Sequence, residues 1–80
     1  MLLQAHWEYQ NPDESFESYP PEINAIIEKA FQAQSSSAEW QEEDDETFVI
    51  DFSRNVEITK TSGKEISVKR ICDGRLSFLL

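Results

Sequence analysis

The chain of 80 residues has one cysteine, Cys72, one histidine, His6, only two glycines, Gly63 and Gly74, and no long apolar run. Each shortage closes off a class of molecule. A lone thiol forms no internal disulfide, so the fold must stand without covalent staples, which fits a nuclear or cytoplasmic setting. One Cys and one His cannot supply a tetrahedral zinc set, and no metal or cofactor is expected. Two isolated glycines make no phosphate-cradling loop. No window reaches the roughly 18 apolar residues of a membrane span, and residues 1–7 lack the basic start and apolar stretch of a secretion signal. Cys72 and His6 sit at opposite ends of the chain with no cleft evident between them, so no catalytic pair is expected.

Basic residues are also scarce, and unevenly so. Residues 1–53 carry Lys29 against thirteen acids, a net of −12; residues 54–80 carry Arg54, Lys60, Lys64, Lys69, Arg70 and Arg75 against three acids, a net of +3. The overall −9 argues against direct binding of DNA, which needs a dense basic surface. The basic C-terminal third leaves room for a local hold on a small anion. The length suits one domain with one modest core, expected as a monomer. The nine aromatic residues supply much of that core's buried area.

What is there reads as strands and one helix. Leu3, Ala5, Trp7 and Tyr9 alternate with Gln4, His6, Glu8 and Gln10, the pattern of a half-buried strand. Asn11, Pro12 and Asp13 break it, and residues 16–19 form a short second strand. Ile23, Ile26, Ile27, Ala30 and Phe31 recur at helical spacing, predicting a helix over about residues 22–33. Pro20, Pro21 and Glu22 suit its first turn. Gln34 and the serines at 35–37 are expected to end it through competing side-chain hydrogen bonds. Ala38 and Trp40 lie on a third strand. The five acids at 42–46 lack the spaced ligands and bracing glycine of a calcium loop and read as a solvated hairpin turn.

Phe48, Ile50 and Phe52 share one face of the next strand, residues 56–59 form another, and Thr61, Ser62 and Gly63 make a hairpin turn. Residues 65–71 close the set with Ile66 and Val68 inward. Strands joined by short turns are antiparallel neighbours, so the fold class is α+β, one helix across a curved meander. Trp7, Phe16, Ile27, Phe31 and Trp40 are the expected core. The apolar Leu76, Phe78, Leu79 and Leu80 leave residues 72–80 as a C-terminal tail or the start of a linker.

Three segments together resemble the WWE domain. They are His6-Trp7-Glu8-Tyr9 with Phe16-Glu17-Ser18-Tyr19; the helix Asn24-Ala25-Ile26-Ile27-Glu28-Lys29-Ala30-Phe31 with its signature Glu28; and Phe48-Val49-Ile50-Asp51-Phe52 followed by Val68-Lys69-Arg70. Phe16 stands where the family has its second Trp. The resemblance implies a half-barrel of about six antiparallel strands wrapped around one α-helix, spanning residues 1–71. It also implies a non-catalytic recognition module of a larger protein, an ADP-ribosyltransferase of the poly(ADP-ribose) polymerase family ahead of a ubiquitin ligase. The implied ligand is ADP-ribose or poly(ADP-ribose) on modified proteins.

The resemblance puts ligand-binding positions at Tyr9 and Phe48, and Lys64 or Lys69 is the candidate to substitute for a missing basic contact. Glu57 occupies the position of a pocket Gln and Ile66 that of a pocket Arg, so weak nucleotide binding is expected. Glu28 is expected to order the helix against a neighbouring backbone or Trp ring. The alternative is a protein–protein interaction module with a degenerate pocket. A third reading, an acidic inhibitor of a basic protein, predicts salt-dependent binding.

Overall fold

The computed structural model describes residues 5–72; the expected strand residue Leu3 and the apolar tail at 76–80 lie outside them. Alternation of apolar and polar side chains sets up the first strand, β1 (Ala5–Gln10), which turns back at Asn11 into the short β2 (Phe16–Ser18). The helix α1 (Pro21–Gln32) follows, then β3 (Ser37–Gln41), β4 (Thr47–Asp51), β5 (Val56–Thr59) and β6 (Glu65–Cys72). The six strands form one sheet in the order β2-β1-β6-β5-β4-β3, every neighbouring pair antiparallel. Four connections are hairpin turns, α1 links β2 to β3, and the pairing of β6 with β1 brings the chain's two halves together. Cys72 pairs with Ala5, so β6 runs one residue past the expected domain edge.

The sheet curves around α1, which packs against β1 and β3 and so spans the open side. Ile27 is fully buried between them, and Trp7, Tyr19, Ala38, Trp40, Ile50 and Val68 complete the core. Two expected core residues lie nearer the surface. Phe16 is 36% exposed, because β2 pairs it with Gln10 on the outer face of the sheet, where the Lys69 ammonium sits 3.9 Å from its ring centre. Phe31 is 39% exposed at the helix end, packed edge-on against Trp7 and Phe52 with the Arg70 guanidinium on its open side.

Pro21 takes the first helical position, where a missing N–H costs nothing, and Glu22 meets the positive end of the helix dipole. The helix ends by backbone geometry rather than through the serine side chains. Gln34 adopts φ 61°, its N–H donates to the Phe31 carbonyl, and the Ser35 N–H donates to the Ala30 carbonyl. That pair of bonds is the Schellman closure.

With glycine so scarce, the turns borrow other residues for left-handed backbone: Glu14, Gln34, Asp45 and Asn55 all have positive φ, alongside Gly63. Asp13, Asp44 and Asp51 brace three of these turns by accepting from the backbone N–H two residues on.

Candidate functional site

Among the described residues, the aromatic side chains other than Phe16 divide into two groups at opposite ends of the half-barrel. At one end Trp7, Phe31 and Phe52 pack with ring centres 5.4–5.7 Å apart. Glu28 seals this end. Its Oε1 accepts from the Trp7 indole at 2.9 Å and from Arg70 Nε at 3.0 Å, and its Oε2 accepts from Arg70 Nη2 at 2.7 Å and from Gln32 at 2.6 Å. The bonds from Arg70, with those from Gln32 and Trp7, hold the Glu28 carboxyl down at about 2. The expected role for Glu28, ordering the helix against a Trp ring, is the one seen, with Arg70 as an added partner. A fully engaged carboxylate here positions structure and has nothing left to offer a ligand.

The other end is open. Tyr9, Tyr19, Trp40 and Phe48 stand around a cavity of about 290 Å³, with Pro20, Glu42, Glu57 and Ile66 completing its lining. Trp40 and Phe48 stack at 5.8 Å, Tyr19 meets Trp40 edge-on at 5.7 Å, and Tyr9 tilts against Tyr19 at 4.9 Å. Strand alternation produces this wall: Tyr9 pairs with Val68, Glu57 with Ile66 and Ile50, and Phe48 with Trp40, each pair sharing the inner face. A second cavity, about 510 Å³, lies beside the first and shares Tyr9 and Ile66 with it. Its other lining residues are Gln10, Asn11 and Pro12 at the end of β1 and Lys64, Glu65 and Ser67 at the start of β6.

Glu57 is the chemical centre of the open end. It is 9% exposed, and its Oε1 accepts from the Tyr19 hydroxyl at 2.7 Å. Burial raises the Glu57 carboxyl above its ordinary range; the Tyr19 bond opposes this, and the charge of Glu42 adds to it. Burial likewise raises the Tyr9 hydroxyl, as do the carboxylates of Glu17 and Glu57, and both tyrosines stay protonated donors.

Of the four expected ligand residues, the structure brings Tyr9 and Phe48 to one cavity and Lys64 to the adjoining one. Lys69 is elsewhere. It pairs in register with Glu8 on the outer face, 3.9 Å from that carboxylate and over the Phe16 ring.

The basic C-terminal third forms no anion cradle among the described residues. Arg54 is engaged by Asp51 and Glu65, Lys60 lies 4.0 Å from Glu39, and Arg70 is held by Glu28. Lys64 is the cation left beside the open end. Tyr19 and Trp40 were not expected at a site. Nothing in a linear pattern signals the Tyr19–Glu57 bond, whose partners are 38 residues apart. Among the described residues no group of His, Cys, Asp and Glu is placed to hold a metal ion.

The family model described as the WWE domain matches residues 5–70. No curated protein matches the chain.

Proposed function

The chain belongs to the WWE domain family, and on that premise we propose that it is the recognition part of a larger nuclear or cytoplasmic protein, reading ADP-ribose units on modified proteins with low affinity. Members of this family are non-catalytic interaction modules. The observation that carries the ligand reading is the aromatic cavity at the open end, walled by Tyr9, Tyr19, Trp40 and Phe48. At about 290 Å³ it sits at the small end of the ligand-pocket range, with room for one flat base and not for a whole ADP-ribose. The ribose and phosphates would then cross Tyr9 toward the second cavity, where Lys64 is the cation at hand.

Low affinity follows from what surrounds that path. Ile66 offers no guanidinium, and the charge-assisted contact that such a group would make is worth about 1.5–3 kcal/mol. Glu57 and Glu42 add negative charge beside a diphosphate. Recording amide shifts while titrating ADP-ribose, iso-ADP-ribose and ATP tests the reading. Shifts centred on Tyr9, Phe48, Lys64 and Ile66, abolished by Tyr9→Ala and unchanged by Lys69→Ala, are the expected result. Unmoved amides at those positions with millimolar ligand would overturn it.

A further inference from the structure

The lining that loosens the hold on a diphosphate suits a ligand of the opposite charge. One oxygen of Glu57 is occupied by the Tyr19 hydroxyl. The other takes no hydrogen bond from the described residues, and it is not sealed away, since among those residues no buried side-chain polar atom lacks a partner. Glu42 borders the same cavity, its carboxylate tied to the Trp40 indole at 3.1 Å. Two acids and four aromatic rings therefore face one small space.

We propose that this cavity receives an arginine side chain from a basic segment of a partner protein. The guanidinium lies against the aromatic wall while its N–H groups donate to the free oxygen of Glu57 and to Glu42. A guanidinium is flat, weakly hydrated and rich in in-plane donors, so it gains from both stacking and carboxylate contacts. A lysine ammonium is compact and strongly hydrated, and uses such a wall less well. Burial of Glu57 without a counter-charge penalises its ionised form, and an arriving cation removes that penalty.

The rest of the molecule favours the same partner. The chain carries a net charge of −9, and the acidic turn at 42–46 adjoins the cavity through Glu42. A field of that sign draws basic segments toward the open end and disfavours anionic ones.

The test uses the full chain and two peptides, acetyl-Gly-Arg-Gly-amide and its neutral isostere with citrulline in place of arginine. The arginine peptide is expected to shift the amides of Tyr9, Phe48 and Glu57 and to change Trp40 fluorescence, and the citrulline peptide to do neither. Glu57→Gln keeps an acceptor for Tyr19 but removes the charge. It should weaken the arginine peptide roughly tenfold. Equal shifts from both peptides would overturn the proposal, as would shifts confined to the turn at 42–46. If Glu57→Gln fails to fold, the two peptides on the unaltered chain still decide. The nucleotide reading is judged separately: it fails if ADP-ribose moves no amide, whatever the arginine peptide does.

Discussion

Two buried-side glutamates in this domain are pushed in opposite directions, and the difference is a matter of donors. Glu28 receives hydrogen bonds from Trp7, Gln32 and two nitrogens of Arg70, which hold its carboxyl down at about 2. A depressed carboxyl contributes stability that is present above its ordinary value of 4.5 and lost as pH falls through about 2. Glu28→Gln should therefore cost about 2 kcal/mol at pH 7, allowing for partial solvent screening, and the gap should narrow to about half or less at pH 3.

Glu57 has one donor, Tyr19, and burial outweighs it, so its carboxyl is raised. A raised carboxyl contributes stability below the ordinary value of 4.5 that is lost as pH climbs through the folded-state value. Glu57→Gln should accordingly melt higher than the parent at pH 7, with the difference shrinking toward pH 4. Urea melts of both variants at several pH values would check the two slopes, and parallel slopes would contradict this account. The sequence makes Trp7, Trp40 and Ile27 legible as core because bulk and periodicity agree there. It does not reveal Phe16 as an outer residue, since that depends on the β1–β2 register, which one short strand cannot announce.

At the scale of elements, the helix is the clearest case of a pattern that carries its own reading, yet its stripe is broader than the seam it fills. Ile27 is buried, and Ile23 and Ala30 flank it against the core. Ile26 sits about 100° around the axis from Ile27 and is 40% exposed. Periodicity gives the direction of a helix face; how much of that face is covered depends on how far the sheet curls, and α1 packs most extensively along β3 and β1. Ile27→Ala should cost about 2–5 kcal/mol, and Ile26→Ala a small fraction of that, measurable by thermal or urea unfolding.

The helix terminus shows the converse, a feature the sequence disguises. Serines follow the helix, but the closure is made by Gln34 in the left-handed region. A glycine there would have marked the Schellman turn; with Gln in its place the signal is absent. Gln34→Gly should raise stability by about 1 kcal/mol, because the left-handed backbone costs a side-chain-bearing residue about that much. The strands were legible from alternation and turn chemistry, their order from short connections, and the β1–β6 pairing only from the resemblance, since its partners lie far apart in the chain.

The whole molecule is a half-barrel with one closed end and one open end, and its charge falls unevenly on the two. The closed end, with Glu28 locked to Arg70, is electrically settled. The open end carries Glu42 and Glu57 within a chain of net −9, with Lys64 beside it. Salt therefore separates the two occupants considered for the cavity. Screening at 0.1 M ionic strength acts beyond about 10 Å, so added salt weakens the long-range part of either interaction before it touches direct contacts. An arginine-bearing peptide is attracted by that long-range field, and its affinity should fall as salt rises from about 20 to 300 mM, mainly through a slower association. ADP-ribose is repelled by the same field and should bind no more weakly, and by this argument somewhat more tightly, over the same range. Isothermal titrations at three salt concentrations with both ligands would read the two slopes, and slopes of the same sign would show that the acidic surface does not govern which ligand reaches the aromatic wall.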